Sequence, residues 1–228
     1  MSKFVIKKII KPFVRTLNIE GDKSLSIRWA LIASQAIGKS YAKNLLKSDD
    51  VLNTLNCLKK LGTKIKKKKD RYEIYGLGLN GYRFKHNIVL DAGNSGTLGR
   101  LILGLLIHTK KRIRLKGDKS LSKRDFLRVT KPLENFGARF KTNSGKLPIT
   151  ITGVKNPVPI RYYETKGSAQ CKSAIMLAAL NTKGETIIKA KKSRDHTELL
   201  FKHLKLPIKI YKKKKFDFLK LKGKKKKN

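Results

Sequence analysis

Asp50-Val-Leu-Asn-Thr-Leu-Asn-Cys-Leu-Lys-Lys-Leu-Gly62 is one of three segments built to a common plan. The others are Asp125-Phe-Leu-Arg-Val-Thr-Lys-Pro-Leu-Glu-Asn-Phe-Gly137 and Asp195-His-Thr-Glu-Leu-Leu-Phe-Lys-His-Leu-Lys-Leu-Pro207. Each opens on an Asp and meets a helix-stopping Gly or Pro twelve residues later. The apolar spacing between is helical, as at Leu52, Leu55, Leu58 and Leu61. A carboxylate at a helix N-terminus suits the free N–H groups and the dipole there.

Working outward, each helix is flanked by strands in the same order. Ser40-Tyr-Ala-Lys-Asn-Leu45, Arg112-Ile-Arg-Leu115 and Thr186-Ile-Ile-Lys189 precede the three helices. Two alternating strands follow each one: Thr63–Lys66 and Tyr72–Tyr75, Ala138–Phe140 and Pro148–Thr152, Ile208–Tyr211 and Phe216–Leu221. Upstream of each set lies another helix, apolar nearly all round: Trp29–Ala36, Leu98–Leu106 and Ser173–Leu180. Helices of that kind belong in an interior. The unit reads strand, helix, strand, helix, strand, strand, three times over. The fold class is therefore α/β, with three βαβαββ repeats at about 19–86, 87–157 and 158–223. The three apolar helices, near 24–37, 97–108 and 168–181, are expected at the centre of a pseudo-threefold domain.

The loops before those central helices carry the chemistry. They are Gly21-Asp-Lys-Ser24, Gly93-Asn-Ser-Gly-Thr97 and Lys166-Gly-Ser-Ala-Gln170. Each offers free backbone N–H groups and a positive dipole end to an anion. A threefold repeat brings equivalent loops to one end, where Lys23, Arg28, Arg100, Arg124 and Arg194 join them. That pattern suits a phosphorylated or carboxylated small molecule. The octapeptide Gly21–Arg28 also recurs, with one change, at Gly117–Arg124, but at a different place in the period.

Composition excludes several alternatives. The chain has 228 residues, 39% of them hydrophobic, which is enough for a real core. Two cysteines make no disulfide framework and point to a reducing, cytoplasmic setting. Four His and two Cys, with no CxxC or HxxxH spacing, give no metal site. The longest apolar run, Leu98–Ile107, is too short to span a bilayer, so no membrane partner is expected. The N-terminus, Met1–Arg15, alternates Lys with apolar residues and reads as a strand rather than a signal peptide. The formal net charge is +41, from 56 Lys and Arg against 15 Asp and Glu. A basic nucleic-acid-binding protein is the competing reading. Against it, 44 of the basic residues are Lys, with no aromatic interleaving, so no specific nucleic acid is expected.

Gly21-Asp-Lys-Ser-Leu-Ser-Ile-Arg28, Lys47-Ser-Asp-Asp50 with Thr54, Asn94-Ser-Gly-Thr97 with Arg100, Gly117-Asp118 with Lys123-Arg124, Ser168-Ala-Gln170 and Ser193-Arg-Asp-His-Thr-Glu198 occur in that order. Together they resemble the 5-enolpyruvylshikimate-3-phosphate synthase family. The Ser168-Ala-Gln170 and Ser193–Glu198 forms are similar to its glyphosate-tolerant branch. The sister family acting on a UDP-sugar fits less well, because its asparagine-rich opening and reactive-loop cysteine have no counterpart; Cys57 and Cys171 read as core.

The resemblance implies an inside-out α/β barrel and transfer of the carboxyvinyl group of phosphoenolpyruvate to the 5-hydroxyl of shikimate 3-phosphate. That step lies in the shikimate pathway to chorismate and the aromatic amino acids, and it uses no metal or organic cofactor. It further implies that Lys23 touches both substrates. Ser24, Arg28, Ser168, Ala169, Gln170 and Arg194 would hold shikimate 3-phosphate. Asn94, Gly96, Arg124 and Gln170 would hold phosphoenolpyruvate, with Arg100 either a ligand or a loop brace. Asp125-Phe126 depart from the family, which more often has Pro and a small or apolar residue there. Such enzymes have two similar domains. Residues 19–223 would make one, residues 1–18 a strand belonging to the other, and residues 224–228 a Lys-rich tail. The base, proton donor and several phosphate ligands of the second domain have no counterpart, so the chain alone is expected to be inactive, its second domain being either encoded separately, as a partner, or lost.

Overall fold

The computed structural model describes residues 5, 7–9 and 11–223. The first repeat contributes α1 (Lys23–Ala33), β1 (Ile37–Lys43), α2 (Asp49–Lys60), β2 (Lys64–Lys67) and β3 (Arg71–Leu77). The second contributes β4 (Ile88–Asp91), α3 (Gly96–Leu106), β5 (Ile113–Lys116), a one-turn α4 (Lys119–Ser122), α5 (Leu127–Glu134), β6 (Arg139–Asn143) and β7 (Lys146–Thr152). The third contributes β8 (Arg161–Glu164), α6 (Ala169–Leu180), β9 (Gly184–Lys191), α7 (His196–His203), β10 (Ile208–Lys212) and β11 (Phe216–Gly223).

Each repeat forms its own sheet. The orders are β1-β3-β2, β4-β5-β7-β6 and β8-β9-β11-β10. In the second and third sheets the leading strand pairs parallel to its neighbour, and the rest of each ladder is antiparallel. The first sheet has three strands, all antiparallel. Its leading strand is not formed: residues 11–20 have no regular structure. The N-terminal strand expected over residues 1–18 is therefore absent among the described residues, and the first repeat is αβαββ. The edge of β1 that corresponds to the paired edges of β5 and β9 is left open among the described residues. The tail expected at 224–228 lies outside the described residues.

The architecture is inside-out, as the apolar helices required. α1, α3 and α6 fill the centre, and Ile27, Leu31, Leu98, Ile102, Ile175 and Met176 are fully buried. α3 and α6 cross so closely that a Cβ on Gly104 would sit 2.1 Å from the Ala174 carbonyl oxygen. The sheets cover this core with alternate residues, such as Leu147, Ile149 and Ile151 of β7.

The three Asp-led helices form, with local differences. On α2 the buried stripe is Val51, Leu55, Leu58 and Leu61, while Leu52 is exposed. Gly62 and Gly137 follow α2 and α5 in left-handed conformations, at φ +92° and +104°. The third helix stops before Pro207, at Leu204, with Lys205 taking the left-handed position at φ +52°. Asp125 bonds the Leu127 N–H at 2.7 Å. Asp50 and Asp195 make no cap and face Lys23 and Lys212 instead. Both of these carboxylates are half-buried, and a charge-assisted bond to an ammonium takes the place of a cap there.

Candidate functional site

The loops ahead of the central helices end in caps. Asp22 accepts from the Leu25 N–H at 2.7 Å, and Ser95 and Ser168 accept from Leu98 and Cys171 at 3.2 Å. The repeated octapeptide does the same local work twice, since Asp118 caps α4 by accepting from the Leu121 N–H at 2.7 Å.

The three N-termini converge on a cleft of ≈ 300 Å³. Its walls are Ser24 and Arg28 of α1, Thr97 of α3, Gly167–Gln170 of the third loop, Ser193 and Arg194 ahead of α7, and His196 at its start. Both charged side chains in that wall, Arg28 and Arg194, are cationic. The field inside therefore favours an anion, reinforced by the dipole ends.

Arg28 is buried and held from three sides. Its Nε donates to Thr197 Oγ1 at 2.8 Å, Nη1 to the Ser24 carbonyl at 3.0 Å, and Nη2 to Ser173 Oγ at 3.4 Å. Burial pulls its pKa below the ordinary value, while Glu198 and then Asp22 oppose that shift.

Beside the cleft runs a second cluster. Gln170 accepts from Arg100 Nη1 at 3.0 Å and donates to Thr97 Oγ1 at 3.0 Å, tying α6 to α3. Arg124 Nη2 donates to Asn94 Oδ1 at 2.9 Å, and Asn94 Nδ2 donates to Asp118 at 2.7 Å. A Cβ on Gly96 would lie 2.9 Å from Arg100 Nη1 and 3.1 Å from Arg124 Nη1, so only Gly leaves both guanidinium groups where they are. Arg100 also donates to the Gly96 and Asp125 carbonyls and stacks 4.8 Å above the Phe126 ring. The Phe126 ring and the Asp125 backbone carbonyl thus seat Arg100.

The structure brings together Ser24, Arg28, Ser168, Ala169, Gln170 and Arg194, and joins Asn94, Gly96 and Arg124 to them through Arg100 and Gln170. Lys23 stands apart from the cleft wall, its half-exposed ammonium 3.0 Å from Asp50. Sequence reasoning passed over Thr97, Ser193 and His196, although all three lie inside quoted motifs. It also passed over Ser173 and Thr197, which hold Arg28. Glu164, buried at the end of β8, accepts from the N–H groups of Lys166 and Ser168 at 3.2 and 2.9 Å and shapes the third loop. Cys57 and Cys171 are buried as expected, and burial pushes the Cys57 thiol up to about 11.

Three repeated units around buried helices, with their N-termini gathered on a cationic cleft, define an enolpyruvyl-transferase type of domain. Residues 7–228 match the family model of EPSP synthase (3-phosphoshikimate 1-carboxyvinyltransferase), and the chain belongs to that family. It is 43% identical over 215 residues to the 3-phosphoshikimate 1-carboxyvinyltransferase of Ruthia magnifica, covering 94% of this chain and 49% of the relative. It is 39% identical over 213 residues to that of Paramagnetospirillum magneticum, covering 92% and 48%. The solved EPSP synthase of Acinetobacter baumannii superposes with a TM-score of 0.83 at 34% identity, over 92% of this chain and 47% of that one. The chain spans about half the length of the curated relatives it matches.

Proposed function

We propose that this chain carries the shikimate 3-phosphate half-site, and part of the phosphoenolpyruvate site, of a carboxyvinyl transfer. The observation that carries the reading is the cleft itself, where three helix N-termini, Arg28 and Arg194 face one small space. Residues 19–223 make the domain. Ser24, Arg28, Ser168, Ala169, Gln170 and Arg194 take shikimate 3-phosphate. Asn94, Gly96, Arg124 and Gln170 take phosphoenolpyruvate, with Lys23 released from Asp50 to reach both.

Transfer is an addition followed by an elimination. The 5-hydroxyl oxygen adds to the substituted carbon of the enol phosphate as its proton passes to a base and a proton goes to the methylene; the tetrahedral adduct then loses a proton from the new methyl group and expels phosphate, leaving the enol ether. Both substrates are multiply anionic, so pre-aimed N–H groups and guanidinium groups offset their desolvation. The addition also needs a proton donor and a base, worth typically ~10²–10⁴-fold each. No carboxylate lines this cleft. A second domain supplies those groups when it closes over the substrates. The test is phosphate release from the two substrates, by the chain alone and mixed with the remaining half of the Ruthia magnifica relative. The mixture should release phosphate only when shikimate 3-phosphate is present, and the chain alone should release none. Full turnover by the chain alone, or none by a mixture shown to associate, would contradict the proposal.

A further inference from the structure

Lys172 is fully buried, which is rare for lysine, and it is ion-paired with Glu198, itself buried. The pair joins α6 to α7 beneath the cleft, and each member has a telling neighbour. Ser173 follows Lys172 and Thr197 precedes Glu198; these are the two hydroxyls that hold Arg28.

One proton arrangement satisfies the whole group. Ser173 Oγ donates to the Ala169 carbonyl at 2.7 Å. Thr197 Oγ1 lies 2.6 Å from Ser173 Oγ and must then be the donor between them. That leaves lone pairs on Thr197 for Arg28 Nε and on Ser173 for Arg28 Nη2. Three of the five guanidinium N–H bonds are thereby spent on the protein. The other two, one on each terminal nitrogen, remain for whatever enters the cleft.

The charges do not balance within this group. Arg28 and Lys172 are two buried cations, and Glu198, buried with them, is the carboxylate paired to Lys172. Glu198 is also the foremost charge holding up the ionised form of Arg28. A buried ion pair adds little stability over an apolar pair of similar volume, so stability alone does not explain this one.

We infer that Glu198, oriented by Lys172, is a positioning residue whose charge keeps Arg28 down on the Thr197 and Ser173 hydroxyls, with two N–H bonds aimed at an anion in the cleft. The inference rests on the reading of the cleft as an anion site. Without that charge, a desolvated guanidinium does better to leave its hydroxyls for water.

The test separates charge from packing. In the Lys172→Met/Glu198→Leu double variant the volume is kept and both charges go. Two quantities are measured by NMR on the whole chain: hydrogen exchange of the Arg28 Nε–H without ligand, and the Kd for shikimate 3-phosphate. The double variant should unfold cooperatively near the parent temperature, exchange the Arg28 proton at least tenfold faster, and bind at least tenfold more weakly. Thr197→Val leaves the ion pair intact and removes only the relay hydroxyl, so it should speed the exchange likewise. A folded double variant with exchange and affinity within twofold of the parent would overturn the inference. So would unchanged exchange in Thr197→Val, whether or not the double variant folds. If the parent itself fails to bind shikimate 3-phosphate, the substrate reading fails, while the exchange rates still decide the role of Glu198.

Discussion

Gly104→Ala should damage this fold out of proportion to its size. The new Cβ would lie 2.1 Å from the Ala174 carbonyl oxygen, a backbone atom of α6 that no rotamer change can move. Restoring an ordinary contact requires α3 and α6 to part by about 1 Å. A gap of that size forfeits a quarter to a half of the dispersion well for each pair across the interface. Overpacking of this kind costs typically ~1–3 kcal/mol, and the backbone obstacle puts Gly104 at or above the upper end. Replacing Gly by Ala inside a helix returns about 1 kcal/mol. The net loss of roughly 2 kcal/mol corresponds to a fall of about 4–8 °C in unfolding temperature for a chain of this size. Gly99→Ala, on the same helix, is the control. Its Cβ would meet the Phe126 ring edge at 3.3 Å, a side chain able to give way. Both variants gain the same helix propensity, so their difference in thermal unfolding by circular dichroism isolates the helix crossing. Equal unfolding temperatures for the two, or a stabilised Gly104→Ala, would refute the close packing of α3 on α6.

Other consequences follow from single groups. Burial pulls the His108 pKa down from 6.5 to about 4. The unfolded chain binds that proton first, so up to ~3 kcal/mol of stability, complete above pH 6.5, should drain away as the pH falls toward 4; unfolding temperature against pH should flatten over that window in His108→Asn. Glu164→Gln removes the charge that receives the Lys166 and Ser168 N–H groups and faces Arg128 at 3.7 Å; charged bonds of this kind are worth roughly 1.5–3 kcal/mol each, so urea unfolding should show a loss of that order. Arg28→Lys keeps the charge and loses the fork, so shikimate 3-phosphate should bind at least tenfold more weakly by calorimetry. Lys23→Ala breaks a half-exposed pair and should change stability by no more than ~1 kcal/mol in the same urea experiment.

The three Asp-led helices and the three apolar helices were legible because helical periodicity and uniform apolarity are local properties of the chain. The convergence of the three loops ahead of the central helices followed from the repeat, which converts sequence distance into symmetry. What escaped the sequence depends on partners. Met1–Arg15 alternate Lys with apolar residues like a strand, yet residues 11–20 take no regular structure, and alternation alone does not say whether a strand will pair. Asp50 and Asp195 looked like caps, but whether a carboxylate finds an N–H or a lysine is decided by which lysine lies near. Ser173, Thr197 and Glu164 are small or acidic residues of ordinary appearance, and only packing reveals that two of them hold a guanidinium and the third a loop. Asp125-Phe126 stood out as a departure; the Phe126 ring lies under Arg100, while the Asp125 carboxylate accepts from the Leu127 N–H.

The most direct test is an NMR titration of the isotope-labelled chain with shikimate 3-phosphate at near-physiological salt. The expected result is saturable binding, with shifts confined to Ser24, Arg28, Thr97, Ser168–Gln170, Ser193, Arg194 and His196. It should change only modestly with added salt, because the site is preformed and selective. Shifts spread over lysine-rich stretches such as Lys66–Lys69 and Lys212–Lys215, collapsing as salt rises, would mark general polyanion attraction and contradict the assignment of the cleft.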